Sequence, residues 1–159
     1  MVVTPVDSTD EDVVALVRTH LAFARSVTAP GLVYALDPSA GLDGDLTFFG
    51  ARRRGRLVGI GALRHLDAGH VEIKAMHVPA PSRGAGIGRA VVEELLRQAA
   101  LRGYGRVSLE TGTGEAFAPA RALYRAVGFT PCPPFGPYRP DPASTCLTLV
   151  LPPAGPPGD

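Results

Sequence analysis

Hydrophobic and β-branched residues form short runs in the central part of the chain, separated by turn residues. Residues 46–51 and 57–66 are two such runs, and a polar turn rich in arginine and glycine joins them, which predicts an antiparallel hairpin. A third run covers residues 70–78 and stops at Pro79, because proline cannot donate to a strand ladder. Three consecutive strands are therefore predicted before residue 80.

Apolar residues recur at helical spacing in three other segments, at residues 9–25, 88–102 and 116–127. The second of these carries the longest stripe, formed by Val91, Val92, Leu95, Leu96 and Ala99. Short strands are predicted after the second and third helices, at residues 107–111 and 145–151. The strand, helix and strand that end at residue 111 then make one right-handed crossover between parallel neighbours.

The remaining segments carry weaker patterns. Residues 1–6 are β-rich, and residues 26–45, broken by prolines and glycines, predict a loop with a short helix near residues 38–42. A proline-rich loop is predicted between Cys132 and Ala143. We expect residues 1–151 to form a single domain and residues 152–159 to be a disordered tail.

The composition of the 159 residues, 45% hydrophobic and 19% charged, is typical of a soluble globular protein. The net charge is +1 and the arginines are scattered, which does not favour a nucleic-acid partner. Neither a long apolar stretch nor an export signal is visible, so we expect a cytoplasmic protein with no membrane partner. Cys132 and Cys146 lack metal-ligand spacing, and we expect two reduced thiols and no metal.

The segment between the third strand and the long helix is rich in glycine and arginine. Glycines at 84, 86 and 88 allow the backbone to curl so that successive N–H groups point inward, where the helix dipole adds positive potential. Arg83 and Arg89 add charge beside them, so the segment predicts a site for a phosphate or pyrophosphate. The alternative is a glycine-rich turn that begins an ordinary helix.

Two common glycine motifs are excluded. The dinucleotide-binding pattern needs glycine where Arg89 stands, and the P-loop pattern needs a lysine that this chain, whose one lysine is Lys74, does not offer. Arg83, Gly86 and Gly88 instead match R-x-x-G-x-G. This segment resembles the GCN5-related N-acetyltransferase (GNAT) superfamily, in which such a loop holds the pyrophosphate of acetyl-CoA.

Other motifs strengthen the resemblance, which spans roughly residues 30–151. Residues 72–78 resemble the family's fourth strand, and residues 122–129 resemble its L-Y-x-x-x-G-F helix end. Markers around residues 110–121 and 132–144 resemble a bacterial subgroup, with E-T-G, F-x-P-A-R and C-x-P-F-G-x-Y. The resemblance implies an α/β (α+β) fold with a mixed, mostly antiparallel central sheet, one parallel crossover and helices on both faces.

The resemblance also implies the chemistry of an acetyl transfer to an amine. Glu72 lies eleven residues before Arg83, the offset of the catalytic base in the histone-modifying branch, and is the first candidate base. A structural carboxylate paired with Lys74 is the alternative role. His77 is the alternative base because its ordinary pKa is near neutrality. Tyr124 occupies the place of the family's tyrosine, which protonates the leaving thiolate.

The family often has an asparagine seven residues before that tyrosine, where this chain has Phe117. The resemblance assigns acetyl-CoA binding to the strand end, the glycine loop and the following strand: Met76, His77, Val78, Arg83, Gly84, Ala85, Gly86, Ile87, Gly88, Arg89 and Thr111.

Acceptor recognition is expected from the variable segments, with Phe135, Tyr138 and Arg139 as candidates for a small, partly apolar amine. Packing of the proline-rich loop onto the core is the alternative for the two aromatic residues. The predicted function is acetyl-CoA-dependent N-acetylation of a small molecule in a ternary complex. Acetylation of a protein N-terminus or lysine, and a non-catalytic acyl-CoA-binding sensor, stay open, as does a homodimer.

Overall fold

A computed structural model describes residues 1–27 and 46–153. The strands are β1 Val3–Pro5, β2 Leu46–Arg53, β3 Arg56–Asp67, β4 His70–His77, β5 Arg106–Gly112, β6 Thr130–Cys132 and β7 Ser144–Val150. The helices are α1 Glu11–Val27, α2 Ile87–Leu101 and α3 Ala118–Val127, with short 3-10 turns at Ala80–Ser82 and Glu115–Phe117. The short helix predicted at residues 38–42 and most of the tail predicted at 152–159 lie outside the described residues.

The seven described strands form one mixed sheet in the order β1-β2-β3-β4-β5-β7-β6. Among the strands that the structure describes, only β4 and β5 pair in parallel, and α2 connects them, which confirms the predicted crossover and fold class. The predicted β2–β3 hairpin turns at Arg54 and Gly55, whose φ angles of 53° and 78° both lie in the left-handed region. That conformation is typical of the tight turns that match the twist of a hairpin.

Alternation along the strands divides the apolar side chains between two faces of the sheet. Phe49, Leu63 and Ile73 face α2 and α3 in the larger core, together with Val91 and Leu95 of α2. The opposite face of the first strands packs against α1, whose apolar stripe contributes a smaller core: Val13, Leu16, Val17 and Leu21 against Phe48, Leu57, Ile60 and Ala62. Helices therefore cover both faces of the sheet.

Two elements differ from the sequence prediction. Residues 130–132 form strand β6, although proline at position 131 argues against a strand. Proline is tolerated because β6 is an edge strand, so one side of its backbone needs no ladder partner. The third predicted helix, residues 116–127, is divided into a 3-10 turn and α3, which begins at Ala118. Within the described ranges, no helix combines the length and apolar character needed to cross a bilayer.

Candidate active site

A cleft opens where β4 and β5 separate. Parallel pairing between the two strands covers three positions and stops after Glu72 and Ser108, although β4 continues to His77 and β5 to Gly112. The cleft has a volume of about 690 Å³ and also receives side chains from α1, the start of α2, α3 and the proline-rich loop. An extended ligand arm can therefore lie between the strand ends, where backbone groups of both strands face it.

The glycine segment forms one end of this cleft. Gly84 and Gly86 have φ angles of 83° and 78°, which favour glycine, and a Cβ atom at either position would meet no atom within 4 Å. Gly86 precedes α2, whose first turn carries neither a side-chain cap nor an acidic residue. The N-terminal N–H groups of α2 are thus available to an anion. Gly88 serves a different purpose, since its Cβ would lie 3.2 Å from Leu123 Cδ2 of α3.

The two arginines flank this end differently. Arg83 Nε donates to the Val78 carbonyl oxygen over 3.1 Å, and its guanidinium lies 5.8 Å from the centre of the Phe23 ring. Arg89 Nε donates to Glu93 over 2.8 Å, one helical turn further along, where both side chains are more than half exposed. Both arginines line the cleft, together with Gly84, Gly86, Ile87 and Gly88.

A bulge in β4 sets the direction of the side chains at its end. Ala75 has φ of 56°, which is uncommon for a residue with a side chain, and the β3–β4 register shifts opposite it. Ile73 packs under α2, but Ala75 packs under α1, so the alternation has changed phase between them. As a result Met76 packs against the α2 side, while the His77 ring contacts α1.

Glu72, the first candidate base, lies in the wall of the cleft and is only 1% exposed. Its Oε2 accepts a short hydrogen bond from the Tyr138 hydroxyl and lies 3.8 Å from Lys74 Nζ. Its Oε1 is buried and has no hydrogen-bond partner among the described residues. Burial raises the pKa of the Glu72 carboxyl, while Lys74 and the Tyr138 hydrogen bond act in the opposite direction.

Glu110 on β5 is a second carboxylate in the cleft that the sequence analysis does not single out as a site residue. Its Oε1 accepts a hydrogen bond of 2.8 Å from Ser144 Oγ, and burial raises the pKa of the carboxyl. The available signal was an acidic residue within a short predicted strand, at the first position of the E-T-G marker of the resemblance. Such a residue is an exception to the rule that strand interiors exclude charge, and such exceptions concentrate at sites.

His77, the alternative base, is 7% exposed and lines the cleft. Its Nδ1 lies 3.1 Å from Nδ1 of His20 on α1, so one of the two nitrogens carries the proton that they share. Burial lowers the pKa of both rings to about 4, and the positive charge of Arg83 adds to this effect at His77. Both imidazoles are therefore neutral at physiological pH.

Tyr124 lies on α3 in the wall of the cleft and is 6% exposed. Burial, and then the negative charge of Glu110, raise the pKa of its phenol, which keeps its proton at neutral pH. Phe117, which stands where the resemblance implies an asparagine, fills the space beside Gly112 and packs edge to face on Phe23 at 5.7 Å. The cleft wall at this position is apolar where the family often has an amide.

The three candidate acceptor residues have different positions. Tyr138 lines the cleft and is buried, whereas Phe135 and Arg139 are absent from the described lining. The Phe135 ring packs at 5.6 Å from His70 and 5.1 Å from Tyr138, and Arg139 is exposed. The structure therefore brings Tyr138 together with Glu72, and Thr111, the last predicted donor contact, also lines the cleft.

Known proteins resemble this chain in sequence and in fold. Residues 14–129 match the model of the acetyltransferase (GNAT) family. The chain is 39% identical over 145 residues to the uncharacterized N-acetyltransferase YsnE of Bacillus subtilis, covering 91% of this chain and 96% of that protein. It is 43% identical over 108 residues to an IAA acetyltransferase of Azospirillum brasilense, covering 67% and 69% of the two chains.

Among solved structures, a GNAT family acetyltransferase from Elizabethkingia anophelis with acetyl-CoA bound superposes with a TM-score of 0.68. The match covers 94% of this chain and 97% of that one at 18% sequence identity, so it supports the fold alone.

Proposed function

Because the chain belongs to the acetyltransferase (GNAT) family, we propose that it transfers the acetyl group of acetyl-CoA to the amine of a small molecule. The observation that carries the proposal is the cleft between the diverging ends of β4 and β5. It has backbone N–H groups of a glycine turn at one end and a buried carboxylate in its wall. These are an anion site and a base within one cavity.

The donor end of the cleft fits a diphosphate. The open space around Gly84 and Gly86 allows phosphate oxygens to approach the main chain closely, and Arg83 and Arg89 neutralise their charge. The strand ends at Met76–Val78 and Thr111 then face the pantetheine arm, whose amides resemble a peptide backbone. In this arrangement a main-chain N–H of β4 polarises the thioester carbonyl and stabilises the oxyanion that forms there.

Glu72 is the base in this proposal. An alkyl amine is mostly protonated at neutral pH, so a group in the cleft has to accept its proton before the nitrogen attacks. A raised pKa makes the Glu72 carboxylate a better proton acceptor. Its Oε1 has no hydrogen-bond partner among the described residues and can take that proton. His77 is a weaker candidate, because its pKa is about 4 and its Nδ1 is held by His20.

Tyr124 completes the transfer. The amine nitrogen forms a bond to the acetyl carbon, the carbon–sulfur bond breaks, and the departing thiolate takes a proton from the Tyr124 hydroxyl. Burial keeps the Tyr124 phenol protonated at neutral pH but also makes it a weaker acid, so the tyrosinate has to regain a proton as the products leave. The proton that Glu72 took from the amine balances this step, either directly through water or by exchange with solvent. Cys132 and Cys146 lie on β6 and β7 and are absent from the described lining of the cleft, so the geometry favours direct transfer over an acetyl-cysteine intermediate.

The test is release of free thiol from acetyl-CoA across a panel of small amines, amino acids and aminoglycosides, with the product identified by mass spectrometry. We expect at least one small amine to gain an acetyl group. Tight acetyl-CoA binding with no thiol release from any small amine would contradict the proposal. Peptides with free N-termini form a second panel, and activity on peptides alone would identify a protein acetyltransferase instead.

The base is tested separately with Glu72→Gln. We expect kcat to fall by about 100-fold or more at neutral pH and to recover as pH rises and the free amine becomes abundant. The affinity for coenzyme A should stay within about twofold, because Glu72 is not among the predicted coenzyme A contacts. An unchanged pH–rate profile would remove Glu72 as the base and direct attention to Glu110.

A further inference from the structure

Among the described residues, hydrogen bonds reach only one oxygen of the Glu72 carboxylate. Tyr138, 66 positions away along the chain, donates to Oε2, while Oε1 is buried and has no partner among the described residues. Glu72 itself lines the cleft. A buried carboxylate oxygen without a hydrogen bond costs about 1–3 kcal/mol, more if the group is charged. The arrangement is therefore maintained despite its cost, and it leaves one oxygen for a ligand.

Lys74 contacts the same Tyr138 hydroxyl and lies close to the same Glu72 oxygen. Its ammonium donates to the Tyr138 hydroxyl oxygen over 3.0 Å and lies 3.8 Å from Glu72 Oε2. The Lys74 side chain is 8% exposed, so the two charges attract each other in a poorly screened environment. The tyrosine hydroxyl, which accepts from the ammonium and donates to the carboxylate, is polarised toward Glu72.

We propose that Tyr138 and Lys74 are positioning residues for Glu72, which turn Oε1 toward the acceptor amine and keep the carboxylate ionised. This role rests on the proposed function, and it differs from the acceptor contact that the sequence analysis predicts for Tyr138. Tyr138 acts through Glu72: its hydroxyl fixes one carboxylate oxygen, so that the other has a single direction in which to accept a proton.

The charged surroundings explain why this support is needed. Glu72 is faced by Lys74 on its own strand, Arg64 on β3, Glu110 on β5 and the Cys146 thiol on β7, in addition to Tyr138. Burial favours the neutral Glu72 carboxyl, whereas the two cations and the tyrosine hydroxyl favour the carboxylate. The Glu72 charge in turn raises the pKa of Glu110. Removing Lys74 or the Tyr138 hydroxyl therefore shifts the balance toward the protonated form, which cannot act as a base.

The experiment measures Glu72 itself. In protein labelled with ¹³C at the glutamate carboxyl carbons, the Glu72 resonance is assigned by its loss in Glu72→Gln and titrated without any substrate. We expect the pKa of Glu72 to rise by about one unit in Tyr138→Phe and by more in Lys74→Met, since an ion pair is lost there. Lys74→Arg restores the charge and should return the pKa most of the way to the wild-type value.

Tyr104→Phe is the matched control, because Tyr104 is a tyrosine whose hydroxyl contacts His65 at an exposed position away from the cleft. It should leave the Glu72 titration unchanged. A Glu72 pKa that stays at the wild-type value in Tyr138→Phe would overturn the role of Tyr138, and one that stays there in Lys74→Met would overturn the role of Lys74. If Lys74→Met does not fold, the result in Tyr138→Phe decides the proposal.

Activity provides the second readout. The acid limb of the kcat profile should move up in Tyr138→Phe by the same amount as the Glu72 pKa, with the KM for acetyl-CoA unchanged. If the Glu72 resonance shifts but no amine is acetylated, the electrostatic support of Glu72 by Tyr138 and Lys74 stands and the proposed function fails. If amines are acetylated but neither Glu72 nor the acid limb shifts, the proposed function stands and the positioning role is wrong.

Discussion

The Nδ1 atoms of His20 and His77 lie 3.1 Å apart, so α1 and β4 meet through two imidazole rings at the edge of the cleft. A hydrogen bond between them needs one protonated and one unprotonated nitrogen, which two neutral rings supply. Protonation of either ring introduces a buried positive charge, close to Lys74 for His20 and to Arg83 for His77. This contact therefore depends on both histidines remaining neutral.

Stability should fall on acidification because of this pair. The pKa of each ring is about 4 in the folded chain, against about 6.5 when unfolded, so the unfolded chain binds more protons between these values. The stabilisation is complete above about pH 6.5 and is lost as the pH falls toward 4, by at most about 3 kcal/mol per ring in the free energy of unfolding. Urea denaturation at a series of pH values measures it.

His77→Gln is expected to reduce this pH dependence, and His65→Gln is the matched control, since His65 is exposed on β3. Carboxylates that titrate in the same range contribute equally to both variants and cancel in the comparison. Identical pH dependence in the two variants would show that the histidine contact does not couple folding to protonation.

Gly61 on β3 permits the close approach of α2 to the sheet. A Cβ atom there would lie 2.6 Å from Met76 Sδ and 2.9 Å from both Leu95 Cδ1 and Val91 Cγ1. We expect Gly61→Ala to lower the free energy of unfolding by about 2 kcal/mol, since three packed side chains must shift at once. Gly114→Ala, where a Cβ meets nothing within 4 Å, should change it by less than about 0.5 kcal/mol. Equal effects would contradict the packing argument.

Strand periodicity predicted the sheet well, because apolar alternation is a local property. Strand β6 was missed because Pro131 suppresses the strand pattern, and only its position at the sheet edge makes that proline acceptable. The bulge at Ala75 was also invisible, since alanine gives no sign of a left-handed backbone. The sequence located the glycine turn because the backbone there adopts positive φ angles, which favour glycine.

The candidate site was harder to predict, since its contacts join distant parts of the chain. Glu72 and Tyr138 are 66 positions apart, and the loop that carries Tyr138 has no periodic pattern. The pairing depends on how that loop crosses the sheet, which local propensities do not determine. Glu110 was not predicted as a site residue for a related reason. Its place in the site depends on the cleft beside β5, which forms only in the folded chain.

Tyr124→Phe removes the hydroxyl that the proposed mechanism uses to protonate the thiolate. We expect kcat to fall by about 100-fold, because the leaving group must then depart as an anion or take its proton from water. The ring still packs at about the same place against Phe129, so the KM for acetyl-CoA should change little. Steady-state kinetics with the best acceptor from the amine panel checks both values. An unchanged kcat would remove Tyr124 from the mechanism.

The central claim is that the main chain at residues 83–89 binds the diphosphate of coenzyme A, and calorimetric titration of coenzyme A into Gly86→Glu tests it most directly. A side chain at this position enters open space at the start of α2, so a carboxylate there repels the diphosphate. Gly86→Ala is the control for backbone strain at φ of 78°. We predict that the wild type binds, that Gly86→Ala retains most of the affinity, and that Gly86→Glu loses about 100-fold or more. Equal affinity in the wild type and Gly86→Glu would contradict the account.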